Sequence, residues 1–294
     1  MANDRSTQAH QPISNALTPE RHEAFVRVFG EKFANSYMGP VLFIDKATLY
    51  SPAAINFFRR DFEYVSKIVM YEYQYRSWNG YDQDLLDRYA EIITKKLTSI
   101  KTLLENNTNR ISKLLEQNNC PMDTTVYNNA VTTSVPIISG HARSYFLLLQ
   151  DLDRLNLLTG IANLQGVIHS SQRAEAEFTC KKAVRAFAAA LRNEVVRIYR
   201  EADRMIHEQH AGGGGTDVAS KKDAVAEQGK ELKAFGEAMD SESHGDRSLD
   251  LGDRDPSQMI DEAAAASIAV TKSAKSRKKE TEDLATADAV PAHV

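Results

Sequence analysis

The stretch PVLFIDKATLYSPAAINFFRRDF, residues 40–62, changes its pattern at Ser51-Pro52. Residues 41–50, VLFIDKATLY, are rich in β-branched and aromatic side chains, which predicts a strand. After Pro52 the apolar residues recur every three or four positions, which predicts a helix with Ser51 as its N-cap. The stretch therefore predicts a strand that leads directly into a capped helix.

The same order returns later in the chain. Residues 124–139, TTVYNNAVTTSVPIIS, predict one strand or a hairpin, and a helix follows over about 140–158. Apolar periodicity predicts further helices over 51–76, 81–117 and 170–209. The fold class is therefore mainly α with a short β component (α+β), with long helices and strand-to-helix junctions like those of ribbon-helix-helix proteins.

The predicted helix over 81–117 carries a heptad pattern with one polar position, Asn107. Such a pattern fits a coiled coil between two chains, in which a polar residue fixes the register. It also fits antiparallel packing against the preceding helix of the same chain. Further apolar residues broaden the stripe beyond a narrow seam, which favours packing within one chain.

The composition predicts three regions, a flexible N-terminus (1–17), a helical domain (18–210) and a C-terminal tail (211–294). The tail begins at a run of four glycines and has 17 acidic residues against 11 basic ones, with Phe235 as its one aromatic residue. Such a segment buries too little apolar surface to offset its chain entropy, so it is predicted to be disordered.

Charge and cysteine usage narrow the possible functions. Residues 1–210 carry 25 Lys and Arg against 23 Asp and Glu, so they lack the strong positive charge of many nucleic-acid binders. Any DNA contact must come from a local patch. Cys120 and Cys180 lie far apart, and no signal peptide or membrane-length apolar run is seen, which predicts a cytoplasmic protein without a membrane partner.

No residue pattern predicts catalysis. His207 and His210 are three residues apart rather than four, the glycine run lacks the lysine of a phosphate-binding loop, and Cys180 has no indicated base. We therefore expect no enzyme activity, metal, cofactor or small-molecule substrate.

The strand and helix in residues 40–62 could instead contact DNA. A two-stranded ribbon fits the major groove, and in such ribbons polar residues on one face read bases. Alternation places Lys46, Thr48 and Tyr50 on one face, opposite Ala47 and Leu49. The alternative is a buried strand in a small α+β domain.

Three further groups complete the predicted DNA contacts. Ser51 and the neighbouring amides would hold a phosphate at the helix N-terminus, and Arg59 or Arg60 would reach the DNA backbone. Lys181, Lys182 and Arg185 form an acid-free cluster on the last long helix that could touch phosphate, although a solvated helix face would look the same.

Three segments resemble AcaB-like proteins, a family of transcriptional regulators of conjugative plasmids and related proteins of integrating conjugative elements. SYFLLLQDLDRL (144–155) resembles the family's YLLxDxDxL helix, and KKAVRAFAAALRNEVVRIYR (181–200) is similar to a later helix. FIDKATLYSPAAINFF (43–58) resembles its N-terminal strand and helix. The resemblance implies a cytoplasmic, dimeric, DNA-binding regulator of the ribbon-helix-helix kind that activates transfer genes.

The leading hypothesis is thus a regulator that binds operator DNA as a homodimer. The alternative is a non-enzymatic scaffold or accessory protein of the transfer machinery. Its heptad stripes, including Leu97 and Leu104, would pair with partner helices.

Overall fold

The computed structural model describes residues 17–122, 127–211, 216–243 and 254–269. Within these residues the chain forms a two-stranded antiparallel sheet and eight helices. In chain order the elements are α1 (Pro19–Phe29), α2 (Glu31–Ser36), β1 (Leu42–Leu49), α3 (Pro52–Arg76), α4 (Gln83–Gln117), β2 (Val131–Ile137), α5 (Gly140–Leu164), α6 (Ser170–Ala211), α7 (Thr216–Ser243) and α8 (256–269). The predicted α+β class, mainly α, is confirmed.

The strand-helix-helix order occurs twice, as β1–α3–α4 and as β2–α5–α6. Both first helices begin with the same cap. The Ser51 hydroxyl accepts the N–H of Ala54 (3.3 Å) and the Ser139 hydroxyl accepts the N–H of Ala142 (3.1 Å). An N-cap hydroxyl satisfies a backbone donor that has no partner within the helix. The two serine caps therefore fix where each helix begins, shortly after its strand ends.

Helices α3 to α6 share one core, and helices of the two halves pack against each other. α5 contacts α3 and α4, and α6 contacts all three. The heptad stripe of α4 is therefore covered within the chain, as the broad stripe predicted, but mainly by α5 and α6 rather than by the preceding helix. Leu97 and Leu104 are 6% and 0% exposed, so they are core residues rather than a docking surface for a partner.

Helix α5 continues past residue 158, where the sequence predicted its end. Thr159 and Gly160 lie inside the helix and are buried. The Thr159 hydroxyl can donate to the Asn156 carbonyl (3.1 Å) or to Glu177 (3.0 Å). A Cβ on Gly160 would lie 3.2 Å from the Tyr127 hydroxyl, which favours glycine at this position. Tertiary packing thus stabilises a helix that local propensity would end.

Two parts of the segment 211–294 differ from the predicted disorder. α7 packs against α6 and α3, with Phe235 stacked on Tyr64 at 4.9 Å between ring centroids. In α8, Ile260 is fully buried, and Asp261 accepts a hydrogen bond from Lys96 at 2.8 Å. A few apolar anchors pack against the larger core, which composition alone does not reveal. Residues 1–16, 212–215, 244–253 and 270–294 lie outside the described residues, and the division into three regions stays a prediction.

Candidate nucleic-acid interface

β1 and β2 of the same chain form one antiparallel ribbon. The register runs from Leu42 opposite Ile137 to Leu49 opposite Val131. The two strand-to-helix junctions therefore pair with each other, and no second copy of the chain is needed to complete the ribbon.

A β-bulge interrupts β1 at Asp45 and Lys46. Ile44 pairs with Val135 and Ala47 pairs with Thr133, so two residues of β1 oppose Ser134 alone. A bulge re-aims the side chains that follow it, and a strict alternation of buried and less buried residues is seen in β1 only after Lys46. Before the bulge no such alternation is present, since Leu42 is 55% exposed and Phe43 and Ile44 are both half-buried.

After the bulge, the side chains of β1 alternate between a buried and an exposed face, as predicted. Ala47 and Leu49 are buried, whereas Lys46 and Tyr50 are exposed and Thr48 is half-buried. The hydroxyls of Thr48 and Thr132 lie 2.9 Å apart across the two strands. We name the exposed side formed by Lys46, Thr48, Tyr50 and Thr132 the outer face of the ribbon.

Arg21 of α1 changes the charge at the edge of the outer face. Its guanidinium forms a salt bridge with Asp45 at 2.6 Å and lies 5.3 Å from the centre of the Phe43 ring. The hydrogen bond from Arg21 lowers the pKa of Asp45, so this carboxylate stays ionised and paired. Asp45 alone would repel DNA phosphates, but the pair is neutral and leaves Lys46 as a local positive charge.

Lys46 has φ = 56°, in the left-handed region that is costly for residues with a Cβ. We expect Lys46→Gly to raise the free energy of unfolding by up to about 1 kcal/mol, because glycine adopts this conformation without strain. Urea denaturation would measure the difference. Lys46→Ala is the matched control, since it removes the same charge but keeps the strain. An equal stability for the glycine and alanine variants would contradict the predicted strain.

Ser51 does not have the predicted place in a phosphate site. It is 2% exposed, and its hydroxyl caps Ala54 and accepts a hydrogen bond from Asn156 at 3.2 Å. The backbone amides of Tyr50 and Ser51 donate to the carboxylate of Asp153, at 3.0 and 2.6 Å. Asp153 is itself 5% exposed, so a carboxylate of α5 occupies the position that the sequence assigned to a phosphate.

Arg60 and Arg185 also differ from the prediction, because both contact Asp61. Asp61 is 1% exposed, accepts two hydrogen bonds from Arg60 and lies 4.0 Å from an Arg185 guanidinium nitrogen. Arg60 also stacks on Phe57 at 4.8 Å. These two arginines belong to a buried ion cluster between α3 and α6. Arg59 is exposed on α3, where it could contact DNA.

The acid-free cluster on α6 is not brought together as a basic patch. Lys181 forms a salt bridge with Glu177 at 3.0 Å, and Lys182 lies 5.6 Å from the centre of the Phe178 ring. With Arg185 buried, the three basic residues have three different partners. Side chains four positions apart on a helix are neighbours in space, so an acid-free run in the sequence can still have an acidic neighbour. Glu177 lies four residues before Lys181 and is such a neighbour.

The sequence analysis missed the roles of Arg21 and Asp153. Arg21 lies 24 residues before its partner Asp45, and no local pattern links the two. Asp153 had a detectable signal, since a carboxylate on the buried stripe of an apolar helix needs hydrogen-bond donors.

The Cys180 thiol is unreactive, and the described residues contain no group of side chains suited to bind a metal ion. Burial raises the pKa of the Cys180 thiol to about 12, which keeps it protonated at neutral pH. Within residues 17–122, 127–211, 216–243 and 254–269, no three His, Cys, Asp or Glu side chains are grouped to hold a metal ion. The helices of the same ranges include none that is both long and apolar enough to cross a membrane.

A cavity of about 620 Å³ lies between α2, α3 and the start of α5, lined by Tyr37, Met70 and Tyr73 among others.

Comparison with known proteins identifies a structural relative. The crystal structure of selenomethionine-containing AcaB from uropathogenic E. coli matches with a TM-score of 0.50 at 22% sequence identity. The match covers 62% of this chain and 89% of the AcaB chain. This chain has an AcaB-like fold. Searches with protein-family models and of curated proteins find no match.

Proposed function

We propose that this chain is a non-enzymatic, DNA-binding transcriptional regulator that reads the major groove with the outer face of its β1–β2 ribbon. The observation that carries the proposal is the exposed, polar half of a two-stranded ribbon whose opposite face is buried. A ribbon of this width fits the major groove of B-DNA, and base edges there offer donors and acceptors to side chains such as lysine and threonine.

The contacts that we propose differ in part from those predicted from the sequence. Lys46, Thr48 and Thr132 face the bases, while Tyr50 and Arg59 lie where the ribbon passes into α3 and contact the sugar-phosphate backbone. Ser51, Arg60, Lys181, Lys182 and Arg185 have the internal partners described above and are not part of the proposed interface.

The regulatory role rests on the resemblance to AcaB-like proteins and is supported at the level of fold by the AcaB structure. We propose that the chain regulates transfer genes of a conjugative plasmid or an integrative element in the cytoplasm. The homodimer predicted from the resemblance stays a prediction. The sequence left open whether the two strands pair within one chain or between chains, and here they pair within one.

Binding of the full-length protein to its own upstream region, measured by fluorescence anisotropy against a random duplex, tests the proposal. We expect a preference for the upstream region and a log affinity that falls linearly with log salt. The double variant Lys46→Ala/Thr48→Ala should weaken specific binding by about thirtyfold or more, since each of the two base contacts contributes about 1–3 kcal/mol.

Arg200→Ala is the matched control, because it also removes one positive charge from an exposed side chain, on α6. It should leave the preference for the upstream region unchanged. No preference over random duplex, or equal losses for the control and the double variant, would show that the outer face does not read DNA.

A further inference from the structure

We infer that one copy of the chain supplies a complete reading ribbon and that its DNA element is asymmetric rather than palindromic. This inference rests on the proposed function and adds the stoichiometry and symmetry of the DNA partner. It follows from how the two strands are joined and from the chemical difference between the two halves of the chain.

The first step is the closure of the ribbon. A dimeric ribbon takes one strand from each of two identical copies, so its two strands are related by a two-fold axis and read a palindrome. In this chain β2 already pairs with β1 along the register from Leu42–Ile137 to Leu49–Val131. The edge at which a second copy would add its own β1 is therefore occupied by β2.

The second step is the arrangement of the helices. The units β1–α3–α4 and β2–α5–α6 have the same order and the same serine caps, and α3 and α4 pack against α5 and α6. One chain thus contains two covalently linked strand-helix-helix units, the number that a dimer would otherwise assemble.

The third step is that the two strands present different side chains on the outer face. The bulge places Asp45 and Lys46 opposite the single residue Ser134, so a lysine on β1 faces a serine on β2. Lysine donates hydrogen bonds and carries a charge, whereas a serine hydroxyl can donate or accept. The two strands therefore present different groups to the two halves of a DNA site.

The strand-to-helix junctions differ as well. Arg59 lies eight residues after Ser51, and the residue eight after Ser139 is Leu147. Conversely, Arg143 is an exposed residue four positions after Ser139, where the first unit has the buried Ile55. The exposed arginines thus lie at unequal distances from the two caps, so their phosphate contacts cannot be related by a two-fold axis.

The hydrogen bonds to the backbone at the two strand-to-helix junctions also differ. Asp153, fourteen residues after Ser139, accepts the amides of Tyr50 and Ser51. The residue at the same offset from Ser51 is Val65, an apolar core residue that cannot accept the amides at the α5 junction. A palindrome would leave one half-site mismatched to the side chains that meet it, which disfavours such a site.

Selection of duplexes by the full-length protein from a random pool tests this inference, followed by native mass spectrometry on the shortest duplex that retains binding. We expect a consensus without two-fold symmetry and one chain per duplex. Repeating the selection with Lys46→Ala should relax base preference at one position, and binding to the original consensus should weaken by about tenfold.

A palindromic consensus, two chains on the shortest duplex, or relaxation at two symmetry-related positions would overturn the inference while leaving the proposed DNA-binding function intact. Failure to select any duplex would overturn the proposed function and the inference with it. A urea denaturation curve for Lys46→Ala that matches the unsubstituted protein would show that altered preference does not come from unfolding.

Discussion

Replacing Asp61 with alanine is expected to lower the free energy of unfolding by about 3–5 kcal/mol, because it breaks a buried ion cluster. Asp61 is 1% exposed, and the side chains of Arg60 and Arg185 beside it are 20% and 7% exposed. Removal of the carboxylate leaves positive charge in a region with little access to water. Urea denaturation followed by circular dichroism would measure the loss.

Two further variants separate the charge effect from lost packing. Asp61→Ala combined with Arg185→Leu should be more stable than Asp61→Ala alone, since the more deeply buried of the two positive charges is then removed as well. Glu63→Ala, two residues along α3 in a partly exposed ion pair with Lys67, should cost no more than about 1 kcal/mol. A loss for Asp61→Ala as small as that for Glu63→Ala would contradict the structural role of the cluster.

Replacing Asp153 with alanine is expected to cost about 2–4 kcal/mol of unfolding free energy. The carboxylate accepts the backbone amides of Tyr50 and Ser51 at a junction shielded from water, and each buried donor left without an acceptor costs about 1–3 kcal/mol. Urea denaturation gives the overall loss. Hydrogen exchange at the two amides should accelerate, which localises the effect to the β1–α3 junction.

Asp153→Asn should lose less stability than Asp153→Ala, because its amide oxygen can still accept one of the two N–H groups. Asp151→Asn is the matched control on the same helix. Burial raises the pKa of Asp151, so its ionised form is disfavoured in the folded state and its neutralisation should cost little or stabilise the fold at neutral pH. A larger loss for Asp151→Asn than for Asp153→Ala would refute the assigned capping role.

The sequence by itself determined the long helices and the junctions that depend on neighbouring residues. Ser51-Pro52 places a cap and a proline at the start of α3, and the observed helix begins at Pro52. The heptad stripe of α4 predicted a helix over 81–117, and the structure has Gln83–Gln117. Helical period, capping and proline act over a few residues along the chain, so they can be read from the chain alone.

Only the tertiary structure decided which polar and charged groups remain exposed on the outer face of the ribbon. The bulge at Lys46 depends on the pairing of β1 with a strand that lies more than 80 residues away, and the same pairing closes the ribbon within one chain. Ser51, Arg60 and Arg185 look like phosphate ligands in sequence, yet each has an internal partner brought close by folding. Polar and charged side chains act through space over a few ångströms, and that distance is set by the packing of α3 to α6, which local sequence does not specify.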